Sequence, residues 1–143
     1  MVNLAEEICI PPREEDLPLT RKLIDALHAQ TPDWDIVEED GESRLWRRFT
    51  FPDFASAVTF VDSVAAAAEY QNHHPLITLA WGEVTVAWWT HTIGGLHRND
   101  FIMACRTTRI YEDDFGDGMR HADRVQVASE GSFPASDAPG WRG

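Results

Sequence analysis

Residues 52–75 read PDFASAVTFVDSVAAAAEYQNHHP, and this stretch determines how the rest of the chain is interpreted. Asp53 is a favourable N-cap residue, and the apolar residues that follow it return at the spacing of one helical face. They are Phe54, Ala57, Val58, Val61, Val64, Ala65 and Ala68. Pro75 disfavours helical backbone at His74, because its ring clashes with the residue before it. The stretch therefore predicts a helix that runs to about Asn72 and ends beside two histidines.

Strand patterns lie on both sides of this helix. Apolar and polar residues alternate with a period of two in the longer stretches, which is typical of half-buried strands. The four stretches are residues 34–37, 45–51, 76–80 and 84–91. Asp40-Gly41 separates the first two stretches and is a strong hairpin signal. Residues 81–83 supply a second turn between the last two.

Two further helices complete the predicted order. Leu23, Ile24 and Leu27 share one face after Thr20, and residues 98–111 carry a second helical pattern near the end of the domain. The order is therefore α-β-β-α-β-β-α. This order predicts an α+β fold, a four-stranded antiparallel sheet with three helices on one face.

The composition sets the domain organisation and excludes several classes of function. Residues 1–18 are rich in Pro and Glu and predict a flexible lead, residues 19–112 form the domain, and residues 113–143 predict an acidic, disordered tail. A net charge of −12 argues against nucleic-acid binding, which needs clustered Lys and Arg. No apolar run reaches the roughly 20 residues of a membrane helix. With no secretion signal at the start, we expect a cytoplasmic protein.

Three histidines in two short segments are the candidate site. His73 and His74 follow the central helix, and His91 stands before the Gly94-Gly95 turn. Imidazole is the side chain that titrates near neutral pH, so two such rings could remove one proton and donate another. Glu69 lies four residues before His73 on the same helical face, and could accept a hydrogen bond from that ring.

Two other interpretations of the histidines remain open. They could be ordinary polar side chains of the core, or His73, His74 and His91 could bind zinc. Adjacent histidines rarely converge on one ion, and the cysteines have no metal-binding spacing. We therefore predict neither a metal nor a cofactor. Proton transfer in the dehydration of a carbinolamine, which needs one base and one acid, fits the residues best.

At these residues the chain resembles the pterin-4a-carbinolamine dehydratase family. The resemblance runs from Trp34 to Tyr111 and depends on two motifs at a characteristic separation. They are Glu69-x-x-x-His73-His74-Pro75 and Thr90-His91-x-x-Gly94-Gly95-Leu96, followed by Asp100. The family implies a hydro-lyase acting on 4a-hydroxytetrahydrobiopterin, assembled as a homodimer or tetramer.

The resemblance also implies a role for each matching residue. His73 and His91 correspond to the acid/base pair, and Glu69 corresponds to a supporting carboxylate. The residues implied to bind the pterin substrate are His74, Pro75, Thr90, Asp100 and Trp34.

The chain departs from the family pattern at several positions. Ile77, Leu79 and Trp81 stand where the family usually has an aromatic residue, Asn and Tyr, and Asn99 stands where it often has Arg. His97 replaces the usual Ser or Thr helix cap. These departures resemble a divergent branch linked to carboxysomes, which implies an alternative function as a catalytically inactive chaperone that assembles the RuBisCO large subunit.

Overall fold

The structure is a computed structural model and describes residues 3–116. Seven main elements follow in the order α-β-β-α-β-β-α. They are α1 (Arg21–His28), β1 (Asp35–Glu39), β2 (Glu42–Thr50), α2 (Phe54–Gln71), β3 (Leu76–Ala80), β4 (Glu83–Trp88) and α3 (Arg98–Tyr111). Short helical turns add Leu4–Glu6, His91–Ile93 and Glu112–Gly116. The predicted α+β fold is confirmed.

All strand pairs are antiparallel, and the sheet order is β1-β2-β4-β3. The hairpin between β1 and β2 turns at Asp40 and Gly41, whose φ angles of 53° and 80° lie in the left-handed region that such turns require. Gly82 at φ 69° makes the turn between β3 and β4. A Cβ on Gly82 would lie 3.1 Å from the carbonyl oxygen of Phe51, so this turn also needs the space that glycine leaves.

The helices cover one face of this sheet. Leu45 lies opposite Trp88 and Phe49 lies opposite Val84, so these four buried side chains share the covered face. Helices α2 and α3 pack on the two central strands and on each other, and α1 packs on α3. The core therefore lies between the helices and strands β2 and β4, which places the C-terminal end of α2 beside the end of β4.

The ends of the two long helices are set by local side chains. Asp53 Oδ1 accepts a hydrogen bond from the Ser56 amide at 2.7 Å, as expected of an N-cap. Asn72 ends α2 in the left-handed conformation at φ 54°. His97, which departs from the usual Ser or Thr, still caps α3, because its Nδ1 accepts a hydrogen bond from the Asn99 amide at 3.0 Å.

The N-terminal segment differs from the expectation of a flexible lead over residues 1–18. Leu4 and Ala5 are buried, and the turn that carries them packs on α3. Burial against α3 removes the side chains of Leu4 and Ala5 from water, and this stabilises the position of the segment.

The start of the expected tail also packs on the domain. Phe115 lies against Phe51 and Phe60, with ring centroids 5.5 and 5.7 Å apart. The rest of that tail, residues 117–143, lies outside the described residues. Within residues 3–116, no helix is long and apolar enough to cross a membrane.

Candidate functional site

His73 is held by a buried carboxylate. The backbone turns at Asn72, so His73 leaves the axis of α2 and its ring stacks on Trp88, with centroids 5.6 Å apart. His73 Nε2 lies 2.6 Å from Asp100 Oδ1. At this distance the nitrogen donates its proton to the carboxylate, which leaves Nδ1 as the basic nitrogen of the neutral ring. Within residues 3–116, Nδ1 makes no hydrogen bond of its own.

Asp100 is fully buried, and each of its oxygens is hydrogen-bonded. Oδ2 accepts from the Thr90 hydroxyl at 2.9 Å and from the His97 amide at 2.9 Å. The carboxylate also lies in the first turn of α3, where the helix dipole favours negative charge. A buried charge is tolerated only with such partners. Asp100 therefore acts as a rigid acceptor that orients His73.

His74 pairs with Glu69, and this corrects the prediction that Glu69 supports His73. Glu69 Oε2 lies 2.6 Å from His74 Nε2 on the exposed surface. The predicted spacing of four residues holds only inside a helix. Because the left-handed Asn72 reverses the chain after α2, the partner is found five residues after Glu69.

His91 lies on a turn rather than on the end of β4. The strand ends at Trp88, and an isolated bridge between Thr90 and Gly95 closes the turn. Gly94, at φ 68°, provides the left-handed residue that this turn needs. His91 begins the turn, and its side chain is 87% exposed.

No sequence pattern predicted that Glu42 would reach this site. His91 Nδ1 lies 3.3 Å from Glu42 Oε2, and the Glu42 side chain is only 18% exposed. Glu42 opens β2, and pairing of β2 with β4 brings it beside the turn. No local spacing could have indicated a contact that depends on the register of two strands.

The three histidines line one cleft of about 340 Å³. Its lining consists of Pro12, Asn72, His73, His74, Trp89, Thr90, His91 and Thr92. Four of the predicted site residues therefore line this cleft: His73, His74, Thr90 and His91. Asp100 is hydrogen-bonded to His73 and Thr90, and Glu69 is hydrogen-bonded to His74. Pro75 directly follows the cleft residue His74.

Trp34 lies elsewhere. It is 1% exposed, packs on Phe49 in the core and donates from Nε1 to the Thr108 hydroxyl at 2.9 Å. The resemblance implied that Trp34 binds substrate, but a side chain with no free surface cannot contact a ligand in the cleft. In this structure Trp34 has a packing role.

The departures from the family pattern also lie away from the cleft lining. Ile77 faces the core opposite Val86, and Leu79 lies opposite Val84 near the free edge of β3. Asn99 is buried, and its side chain is hydrogen-bonded to the backbone of Ile10.

The site is therefore a cleft with three imidazoles, each of which has one ring nitrogen within 3.3 Å of a carboxylate oxygen. The hydrogen bonds of His73 and His74 orient those two rings and leave the second nitrogen of each for a bound molecule. Within the described part of the chain, no three metal-binding side chains come close enough to hold an ion. The arrangement is suited to moving protons.

The fold and this cleft define a small α+β protein in which three histidines line one cleft. Comparison with known proteins identifies the class further: residues 17–110 match the family model for pterin 4 alpha carbinolamine dehydratase. A relative from Chlorobium limicola that carries the name pterin-4-alpha-carbinolamine dehydratase is 50% identical over 112 residues, 78% of this chain and 99% of the relative. The chain belongs to the pterin-4a-carbinolamine dehydratase family.

Two known structures share the fold to different degrees. A transcriptional coactivator/pterin dehydratase from Brucella melitensis is 31% identical, with a TM-score of 0.60 over 65% of this chain and 97% of that one. A pterin dehydratase-like protein identified as a RuBisCO assembly factor in the alpha-carboxysome is 23% identical, with a TM-score of 0.47 over 55% of this chain and 88% of that one. The second likeness is too low to support a shared function.

Proposed function

We propose that this protein dehydrates 4a-hydroxytetrahydrobiopterin. The observation that carries the proposal is the cleft in which His73, His74 and His91 each have a carboxylate on one ring nitrogen. Membership of the dehydratase family supports the substrate, and the cleft supports the chemistry. The reaction needs no redox step, since one water leaves and nothing is oxidised.

The reaction requires one base that reaches the N–H and one acid that reaches the hydroxyl group of the carbinolamine. A base removes the proton from the carbinolamine nitrogen, and the electron pair forms a C=N bond as the C–O bond breaks. An acid donates a proton to the leaving hydroxyl group, which departs as water. We assign the base to His73 Nδ1 and the acid to protonated His91; in the reverse hydration the two residues exchange these roles.

The neighbouring residues support this pair. Asp100 keeps the His73 proton on Nε2, so the free nitrogen is the basic one. The Thr90 hydroxyl donates a hydrogen bond to the other carboxylate oxygen of Asp100. His74, with Glu69, lies beside His73 at the cleft and is proposed to bind the polar edge of the pterin.

The test is a dehydration assay on the purified full-length chain. We expect turnover of 4a-hydroxytetrahydrobiopterin well above the spontaneous rate, measured by the absorbance of the quinonoid product. A wild-type rate equal to the spontaneous rate would overturn the proposed function.

The RuBisCO assembly alternative was suggested by Ile77, Leu79 and Asn99. None of these residues lines the cleft, so they do not argue against pterin binding. We therefore keep the dehydratase as the proposed function. Absence of turnover together with a higher yield of assembled RuBisCO on co-expression would favour the alternative.

We also propose a homodimer or larger oligomer in the cytoplasm. Strand β3 is an edge of the sheet, and Leu76, Leu79 and Trp81 along it are 51%, 38% and 50% exposed. Exposed apolar side chains on an unpaired edge favour association. Light scattering at micromolar concentration should give at least twice the chain mass, and a monomer would contradict this expectation.

A further inference from the structure

An N-terminal segment outside the family match contacts both helix ends at the site. We call residues 7–12 the strap. The family model begins at residue 17, so the strap is not part of the matched domain. It has no regular secondary structure, yet its backbone and side chains make specific contacts with α2 and α3.

The strap is attached to the first turn of α3 at two points. Glu7 accepts two hydrogen bonds from the Arg98 guanidinium, at 2.9 and 2.7 Å. The Asn99 side chain accepts from the Ile10 amide at 2.9 Å and donates to the Ile10 carbonyl at 2.6 Å. Asn99 is 2% exposed and directly precedes Asp100. The attachment therefore fixes the strap beside the carboxylate that orients His73.

A third contact joins the strap to α2. The Cys9 amide donates to Gln71 Oε1 at 2.9 Å, and Gln71 is the last residue of α2, two positions before His73. The strap thus bridges the helix end that carries His73 and the helix start that carries Asp100. Such a bridge limits relative movement of the two partners of the 2.6 Å hydrogen bond.

The strap then enters the cleft. Pro12 is part of the lining, and Pro12 and Trp89 are its two largely apolar side chains. The remaining lining residues are amides, hydroxyls and imidazoles. A flat heterocycle with polar edges needs apolar surface at its faces and polar groups at its rim.

We propose that the strap is part of the catalytic site: Pro12 is a specificity-determining wall of the cleft, and Asn99 is a positioning residue that holds this wall and the His73–Asp100 pair in place. The role in turnover rests on the proposed dehydratase function. Asn99 holds the strap and does not contact the pterin in this proposal. Asn99 in place of the Arg that is frequent in the family is therefore compatible with an intact site.

Kinetics of three variants test the proposal. Pro12→Gly should raise KM ~3- to 10-fold with little change in kcat, because it removes binding surface rather than a proton carrier. Asn99→Leu has similar size but cannot bond Ile10, and should lower kcat ~5-fold or more, because small misplacements of reacting groups are costly. Leu17→Ala is the matched control: Leu17 lies outside the strap and the cleft lining and is 83% exposed, so this variant should match the wild type.

Thiol labelling tests strap docking without any need for activity. Burial raises the pKa of Cys9 and of Cys105 to about 11 in each case. Cys105 lies on α3, and its Sγ lies 3.7 Å from the carbonyl oxygen of Gln30, which is not a strap residue, so Cys105 serves as an internal reference. Asn99→Leu should increase alkylation of Cys9 relative to Cys105, measured by mass spectrometry, whereas Leu17→Ala should not.

Each outcome decides one of the two proposals. If the wild type is inactive but Asn99→Leu increases alkylation of Cys9, the dehydratase function is wrong and the docking role of Asn99 is supported. An active wild type with unchanged kinetics in both Pro12→Gly and Asn99→Leu would show that the strap is a cover with no part in the site. An unchanged labelling ratio in Asn99→Leu would overturn the positioning role of Asn99.

Discussion

The two sides of the cleft hold their histidines in opposite ways. His73 is 8% exposed, stacks on Trp88 and contacts a fully buried carboxylate that has two further donors. The side chain of His91 is 87% exposed and has one acidic neighbour, Glu42, at 3.3 Å. One ring belongs to the core, and the other stands on a surface turn.

This difference allows the effect of each histidine on stability to be distinguished from its effect on the reaction. Removing His73 leaves Asp100 without its strongest donor, so folding and chemistry should both suffer. Removing His91 exposes nothing and breaks one solvent-accessible contact. The proposed mechanism assigns one proton transfer to each ring. It therefore predicts that both histidines matter equally for the reaction, although only His73 is held by buried neighbours.

The largest expected effect concerns this pair. His73→Ala and His91→Ala should each lower kcat by ~10²-fold or more, the usual contribution of a positioned acid or base. The unfolding free energy should fall by ~1–3 kcal/mol only in His73→Ala, because only that change orphans a buried group. Kinetics and thermal unfolding of both variants provide the measurement.

The double variant sharpens the comparison. Because both rings serve one step, the combined loss should be smaller than the product of the single losses. A loss equal to the product would indicate independent roles, and a full-rate His91→Ala enzyme would remove His91 from the mechanism.

The next effect concerns Asp100. Asp100→Asn keeps the size of the side chain but presents an amide N–H to His73, which favours the tautomer with its proton on Nδ1 and removes the base. We expect kcat to fall ~10- to 10²-fold and stability to fall ~1.5–3 kcal/mol, as for hydrogen bonds to charged groups. Asp62→Asn, on the exposed surface of α2, is the charge-matched control. Full activity in Asp100→Asn would contradict the proposed tautomer.

On the exposed side the corresponding change should be mild. The His91 side chain of this pair is 87% exposed, and solvent-exposed ion pairs are worth ~0.2–1 kcal/mol, so Glu42→Gln should lower kcat/KM at most ~5-fold and the unfolding free energy by less than ~1 kcal/mol. Glu39 lies opposite Glu42 across the hairpin, and Glu39→Gln removes the same charge without contact to His91. A loss above ~50-fold in Glu42→Gln would show that Glu42 is as essential as we expect Asp100 to be, well beyond an exposed ion pair.

Sequence patterns predicted the parts of this protein that depend on local geometry. The helix beginning after Asp53 and the Asp40-Gly41 hairpin are confirmed, because caps and turns follow from a few adjacent residues. The helix over residues 98–111 is confirmed with the same bounds. The roles of His73 and His91 in catalysis stay predictions.

Two of the contacts that sequence patterns missed depend on tertiary geometry. Glu42 reaches His91 through strand register, and Asn99 reaches Ile10 across 89 positions of sequence. The wrong partner for Glu69 has a local cause: helical spacing was extended past the left-handed Asn72. Residues that meet across elements have no periodic signal in the chain.

The smallest expected effect is a pH dependence at the attachment of the strap to α3. Hydrogen bonding to Arg98 lowers the pKa of Glu7 below its ordinary 4.5. A lowered folded-state pKa stabilises the protein above pH 4.5, and this contribution is lost as the pH falls through the lowered value. The side chains of Glu7 and Arg98 are 25% and 43% exposed, so Glu7→Gln should cost only ~0.2–1 kcal/mol at neutral pH.

Denaturant unfolding of Glu7→Gln and wild type across pH provides the measurement. The two stability curves should converge below pH 4.5, because protonated Glu7 and Gln are both neutral. Glu14→Gln, on the exposed surface, should track the wild type throughout. Equal stability of wild type and Glu7→Gln at neutral pH would mean that the ionised Glu7 does not contribute, and that the strap is attached to α3 mainly through Asn99.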